Sequence, residues 1–474
     1  MNRWSSEPFA DPFGSKPRHT VSSTDPSGAS TARIPVNVHP FAEPPGLKIA
    51  RVVPASFDEV PEEIPMGTLV EEPSGGEFIV GEPAYELGGE MLQGEFEPCP
   101  HCQGHFSCSS NCRRRARRRH WVRADYLLWN LSGFDIPALV SSSPTGTAQA
   151  DAGILGLPTT SVLFGEGSID DSARSGFRIA IGGSTDTRGT TNLEASYFYL
   201  GRDSDSFSAT GGDIILARPF FSVESGAIGQ NAELVHLPGV LEGRIAASSQ
   251  SDLQGGSLRM YQTVACRPQR SIRLFAGYDH IHLEDQLTVS DFRRALDASL
   301  GLAVGTTIAE TDQFRTNNRF NGLVLGGDVR ACHRRISTEL KMAVAIGRTD
   351  SDVSLSGITT VTVPTPTGDD ISTRDSGLLV LPSNAGAFNE EEFTVIPHLG
   401  IDLGFHITPR WSAHLGYELI YWGRVARPGA HIDTNLNLSQ IAIGGLNGVS
   451  APVFDWMFTD LTIHAVDFGL DYRF

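Results

Sequence analysis

Apolar and polar residues alternate with a period of two along much of the chain after residue 120. In the last segment, one face of the alternation carries only apolar or aromatic side chains: Val466, Phe468, Leu470, Tyr472 and Phe474. The residues between them are aspartate, glycine and arginine. Side chains of a strand point alternately to its two faces. A continuous apolar stripe opposite a polar one is typical of a strand with lipid on one side and a polar lumen on the other.

Ten strand-like runs follow residue 120, and short and long connections alternate between them. The runs are 121–129, 177–183, 192–200, 257–265, 271–283, 320–330, 336–347, 393–405, 411–422 and 461–474. Short periplasmic turns and long outer loops are typical of outer-membrane barrels, and an even number of strands lets the first strand pair with the last. The sequence therefore predicts an all-β, antiparallel, up-and-down transmembrane barrel of ten strands. Twelve strands are the alternative, if 283–317 and 348–362 contain further strands.

Composition excludes several other classes of protein. The 474 residues include no apolar run of about 18, so we expect no transmembrane helix. The formal net charge of −18 does not favour binding to nucleic acid. The first residues, MNRWSSEPFADPFGSK, lack the apolar core of a signal peptide. We therefore expect either an in-frame export signal upstream of Met1 or a non-functional product.

The N-terminal quarter of the chain differs in composition from the rest. Residues 1–98 are rich in proline, serine and glutamate without a persistent period, which predicts a disordered extension. Residues 99–120 form a linker that contains a cysteine cluster and the arginine run RRRARRR, and the barrel is predicted to occupy 121–474. The cysteines are weak candidates for metal ligands, with two disulfides or no defined role as alternatives. They are Cys99, Cys102, Cys108 and Cys112.

The chemistry along the strands is ionic. Ionisable groups of both signs lie on the polar faces, and in the narrow lumen of about ten strands they must pair or lose hydration. The predicted lumen network consists of Arg178, Glu194, Lys341, Asp402, Glu418 and Arg473. Within it, the two acids on neighbouring strands, Asp402 and Glu418, are expected to pair with the three basic residues.

Catalytic motifs are missing from the sequence. No GxSxG, HExxH or phosphate-binding glycine motif occurs in a supporting context, so we expect no enzyme, no cofactor and, apart from the weak cysteine candidates, no metal site. Ser412 and His414 share a polar face. They predict a hydrogen-bonded pair in the lumen and not a nucleophile with its base.

Several segments of 121–474 resemble the putative beta-barrel porin-7 family, outer-membrane barrels of planctomycete bacteria. The resemblance is carried by WVRADYLLW, PALVSSSPTGT, GILGLPTTSVLFGEG, ARPFF, LPGVLEG, DQFRTNNRFNG, GLLVLPSNAGAF and GYELIYWGRVARPGAHID. It implies an outer-membrane barrel and supplies no substrate, cofactor or catalytic residue. The last strand also resembles the terminal signal by which such barrels are assembled, which implies membrane lipid and the barrel-assembly machinery as partners. The signal residues are Asp467, Gly469, Tyr472 and Phe474.

Two functions from different classes are compatible with this sequence. The first is an outer-membrane barrel, porin-like or used for structure and surface display, with a largely plugged lumen. The alternative is a soluble, secreted, all-β binding or adhesion protein that acts through its long loops. The apolar stripe of the last strand distinguishes them, because it would face lipid in the first protein and lie between two sheets in the second.

Overall fold

The computed structural model describes residues 120–442 and 445–474, so the predicted extension, cysteine cluster and arginine run lie outside the described residues. Ten long strands dominate the described part. They are β1 (His120–Leu131), β2 (Ala173–Ser184), β3 (Thr191–Asp203), β4 (Leu241–Arg267), β5 (Arg270–Ala295), β6 (Thr307–His333), β7 (Ile336–Thr365), β8 (Gly386–His406), β9 (Trp411–Val425) and β10 (Thr459–Arg473).

The ten strands form a closed antiparallel ring. Each strand pairs with the next one along the chain, and β1 pairs with β10 over the register from Trp121↔Arg473 to Leu131↔Ile463. The prediction of a ten-stranded antiparallel barrel is therefore confirmed. Two short strands, 206–210 and 368–374, join β4 and β7 outside the ring and bring the sheet to twelve strands.

The stretches 283–317 and 348–362 do not form separate strands. They lengthen β5, β6 and β7, so the connection between β5 and β6 is only 296–306. At the other end of the barrel, the connections 185–190, 268–269, 334–335 and 407–410 are the four short turns that the sequence predicts. Short and long connections therefore lie at opposite ends of the barrel.

The apolar stripe of β10 lies on the outer surface of the ring. Phe468 and Leu470 are about half exposed, and the rings of Trp411 and Tyr472 lie 4.8 Å apart near the short turns. This position differs from the alternative expectation of a soluble protein, in which the stripe would be buried between two sheets. Among the described residues, no helix is long and apolar enough to cross a membrane.

Strands β4 to β7 extend well beyond the other strands at the end with the long connections. For example, β3 ends at Asp203, which pairs with Ser251 of β4, whereas β4 extends ten residues further in this direction, to Leu241. Along β6, the outward side chains change from Leu325, which is 58% exposed, to Arg319 and Arg315, whose side chains are 45% and 51% exposed. The inward residue Phe314 in the extended part is fully buried. The outer face is thus apolar over the barrel and charged over the extension.

The long connections fold against the inner face of this extension. Together they form the cap, which we define as the extended ends of β4–β7 with residues 132–172, 204–240, 375–385, 426–442 and 445–458. The cap contains a small sheet of five strands: 229–236, 214–222, 140–144, 161–164 and 435–436. Its apolar core includes Leu139, Phe220, Val235, Phe314 and Leu379, all of which are at most 4% exposed.

Candidate functional site

The lumen of the barrel contains a cavity of about 320 Å³. Inward positions of the strands line it, from Ser184 and Arg330 near the short turns to Ile420 and Ile463 toward the cap. The side chains of Arg123 and Arg330, 27% and 31% exposed, are open to solvent near the short turns. Seven basic and six acidic side chains are among its lining residues, so the wall of this lumen cavity is almost balanced in charge.

Arg178 is a centre of the lumen network. Its Nη1 lies 3.3 Å from Oε2 of Glu418, its Nη2 donates to Asp467, and its Nε lies 3.5 Å from Oδ2 of Asp125. Lys341 contacts Glu418 on the other side, with Nζ 3.0 Å from Oε1. The structure therefore brings together three of the predicted network residues, Arg178, Lys341 and Glu418.

The other predicted network residues line the same cavity in different ways. Glu194 accepts a hydrogen bond from the hydroxyl of Tyr261 at 3.3 Å. Arg473 is a lining residue near the short turns. Asp402 also lines the cavity, but no described residue forms a hydrogen bond or ion pair with its carboxylate. Its expected pairing with the basic residues is not observed among the described residues.

A second group of lumen ion pairs involves residues outside the predicted six-residue network, and Arg123, Arg273, Asp328 and Arg330 among them were not singled out from the sequence. Nε of Arg123 lies 2.8 Å from Oδ1 of Asp471, and Arg273 contacts Asp328 at 2.8 Å and Glu339 at 3.1 Å. Glu339 also accepts from Arg330, and Arg259 contacts Asp279 at 2.8 Å. The available signal was the period of two, which places Arg123 on the face opposite to Val122 and Ala124.

His414 lies between two carboxylates. Its Nε2 is 3.1 Å from Oδ1 of Asp125, and its Nδ1 is 3.3 Å from Oδ2 of Asp471. Ser412 donates to the same oxygen of Asp471 at 3.4 Å and not to the histidine. Both ring nitrogens face acids, so the arrangement does not provide a base for the Ser412 hydroxyl.

An apolar layer crosses the lumen between the cavity and the cap. We call it the apolar seal and define it by Leu131, Leu283, Phe320, Trp422 and Leu461, none of which has measurable exposure. Phe320 and Trp422 meet edge to face with ring centroids 6.3 Å apart. Ile420 and Ile463, which line the end of the cavity, belong to the same buried cluster. The cavity therefore ends at this layer.

Buried charges also occur in the cap. Arg293 contacts three carboxylates, those of Glu233, Asp291 and Glu310. Oxygen atoms of these acids lie within 4.8 Å of one another, as a metal site requires. However, the Arg293 guanidinium already supplies the cation that all three contact. Burial, together with repulsion from Glu233, holds the pKa of Glu310 well above its usual range.

The predicted assembly-signal residues occupy two faces of β10. Asp467 faces inward and accepts from Nε1 of Trp129 at 2.8 Å, while a Cβ on Gly469 would collide with Asp125. Tyr472 packs near Phe474, with ring centroids 5.1 Å apart, and Phe474 is 68% exposed. These four residues thus combine lumen contacts with an outward aromatic end.

One comparison with known proteins, that with family models, agrees with the barrel architecture. A sequence model described as Putative beta barrel porin-7 matches residues 121–474. The comparison with curated proteins gives no match.

Solved barrels resemble the chain only weakly. The chain is similar to the outer membrane protease OmpT from Escherichia coli, with 10% identity and a TM-score of 0.34 over 75% of this chain and 97% of that one. It is also similar to a FadL homologue from Pseudomonas aeruginosa, with 8% identity and a TM-score of 0.19 over 75% and 90% of the two chains. A third is the P. putida toluene transporter TodX, with 8% identity and a TM-score of 0.17 over 75% and 89%. These TM-scores are too low to support a conclusion.

Proposed function

Because the chain belongs to the Putative beta barrel porin-7 family, we propose that its barrel is sealed against free diffusion and holds the cap at the cell surface. The protein is a porin-like barrel of the outer membrane, and its apolar outer face contacts membrane lipid. The short turns then face the periplasm and the cap faces the exterior, as in other outer-membrane barrels.

The apolar seal is the observation that supports a closed barrel. An ion that crosses this layer would exchange water for contact with large apolar side chains, which costs several kcal/mol or more. Beneath the seal, the ion pairs of Arg178 and Glu418 further restrict the lumen. Barrels of about ten strands have interiors that side chains largely fill, whereas wide aqueous pores need about 16 strands.

Planar-bilayer recording of the purified protein tests the proposal. We expect little or no steady conductance from the wild type. Replacing Phe320 and Trp422 with alanine removes two large side chains from the seal and should produce conducting openings. Trp411→Ala is the matched control, because Trp411 lies on the same strand as Trp422 but faces outward. A stable, ion-selective wild-type channel would contradict the sealed barrel and favour an open porin.

For assembly, we propose that the barrel-assembly machinery recognises the C-terminal strand. The backbone N–H of Phe474 donates to the carbonyl of His120 at 2.9 Å, so this end also closes the ring. Phe474→Asp should strongly reduce the amount of heat-modifiable barrel in the outer membrane. Phe405→Asp is the control, because it places the same charge at an outward aromatic position of β8 away from the C-terminus. A smaller loss from this variant would show that the effect of Phe474→Asp is specific to the terminal strand. Equal losses from both variants would argue against recognition of the C-terminus.

We propose no catalytic role for the lumen. Ser412 and His414 are engaged with Asp471 and Asp125, and their contacts support a structural role in joining β1, β9 and β10. Replacing Ser412 with alanine should therefore leave assembly largely intact, since only one hydrogen bond of 3.4 Å is lost.

A further inference from the structure

The lumen cavity has polar groups whose bonding capacity its own wall does not use. The carboxylate of Asp402 has no hydrogen bond or ion pair with any described residue. Arg123 uses Nε for Asp471, and its two terminal nitrogens donate to no described residue. Nε2 of His398 is buried and also has no partner in the described part of the chain. The cavity thus offers one carboxylate, one guanidinium and one imidazole nitrogen to a ligand.

The position of these groups favours a ligand with two opposite charges. Arg123 and Asp402 line one cavity and attract each other electrostatically, yet no ion pair joins them among the described residues. The neighbouring acid Glu418 is already held by Arg178 and Lys341, so it is not available in the same way. A ligand that places an amine on Asp402 and a carboxylate on Arg123 would supply both missing partners.

The charge balance of the wall supports the same conclusion. Seven basic and six acidic side chains line the cavity, so a ligand with a large net charge would leave buried charge uncompensated. A zwitterion adds no net charge, and each of its ends can form a charge-assisted hydrogen bond. The volume of about 320 Å³ is at the small end of the range for ligand pockets.

We propose that the lumen cavity is a binding site for a small zwitterion, an amino acid or short peptide, that enters from the periplasmic end. The proposal rests on the sealed barrel proposed above, in which the cavity is a dead end and not part of a channel. Asp402 binds the amine, Arg123 binds the carboxylate, and His398 contributes a polar contact.

Calorimetric titration of the purified barrel in detergent tests this assignment with three probes. L-leucine carries both charges, N-acetyl-L-leucine only the carboxylate, and L-leucinamide only the amine. We expect saturable binding of L-leucine and roughly tenfold weaker binding of the other two, which corresponds to about 1.4 kcal/mol for each lost contact. No saturable binding of L-leucine, or equal binding of all three probes, would overturn the proposal.

Two variants locate the site. Asp402→Asn keeps the shape of the side chain and should weaken L-leucine binding roughly tenfold. Gly416→Ala keeps the charge but would place a Cβ 2.7 Å from Oδ1 of Asp402, so it should weaken binding by displacing the carboxylate. Asp352→Asn, on the outer face of the cap, is the control. Unchanged binding in folded Asp402→Asn would overturn the assignment, whereas the sealed barrel is judged separately by its conductance.

Discussion

Strands that run from the membrane part of the barrel into the cap reverse the polarity of their two faces. The outer face is apolar in the membrane part and charged in the cap. Along β6, Leu325 faces outward and Asp328 inward in the membrane part, while Arg315 faces outward and Phe314 inward in the cap. The medium outside the sheet accounts for the difference, because lipid accepts apolar side chains and water accepts charged ones. We infer that the change of polarity, near Asn321, marks the outer boundary of the membrane.

The two regions also differ in what holds their interiors together. The lumen below the seal is organised by ion pairs around a polar cavity, and its apolar surface is turned to lipid. The cap is held by an apolar core, against which Phe207, Phe388 and Phe458 also pack. A side chain of one type should therefore contribute differently to stability in the two regions. Two substitutions test this difference, and a third tests the interior of the cap against its outer face.

The largest expected effect is on the core of the cap. Phe314→Ala removes a fully buried ring and should destabilise the cap by about 3–5 kcal/mol. Limited proteolysis should then cleave the cap readily, while heat-modifiable mobility of the barrel is retained. Phe393→Ala is the matched control, because Phe393 is 70% exposed on the lipid-facing surface. Equal protease resistance of the two variants would show that the cap lacks a core of its own.

A smaller effect is expected from a charge on the outer face. Met342→Lys puts the charge on the membrane part of β7, where Met342 is 62% exposed, and should cost about 2–4 kcal/mol near the bilayer centre. Ser354→Lys puts the same charge on the outer face of the same strand in the cap and should be tolerated. Urea unfolding in lipid vesicles measures both. Similar costs at the two positions would contradict the boundary inferred from β6.

The sequence predicts the membrane part well because lipid imposes a regular pattern. The outward stripe of β10 and the spacing of the short turns were sufficient to predict a barrel of ten strands. The alternation of polar and apolar residues correctly placed Arg178, Lys341 and Glu418 in the lumen. The family and the porin-like outer-membrane barrel expected from the sequence are confirmed by the family match. The predicted N-terminal domains and the role of the lumen network stay predictions.

The extensions of β4–β7 were harder to predict, because their buried face is not uniformly apolar. Asp285 and Asp291 interrupt it, and each pairs with an arginine from a distant connection, Arg427 and Arg218 respectively. Such partners depend on how the connections fold over the sheet, which a local pattern does not contain. Asp402 is similar, because its lack of an ion pair among the described residues depends on which side chains reach Glu418 across the lumen.

The smallest expected effect concerns a buried acid of the cap, in contrast to the exposed acids of its outer face. Burial raises the pKa of Asp170 from its ordinary value of 3.8 to about 6, although a hydrogen bond from Ser249 opposes the shift. Between these values the folded cap binds more protons than the unfolded chain, so this contribution is present at low pH and lost as pH rises toward 6. Asp170→Asn should remove it, which changes the difference in stability between pH 4 and pH 6 by on the order of 1–3 kcal/mol.

Denaturant titrations followed by proteolysis of the cap measure this change, with Asp252→Asn on the outer face as control. Glu310 is present in both variants. If Asp170→Asn leaves the change of stability with pH unaltered, the pH dependence would be assigned to Glu310 and the other acids around Arg293 instead.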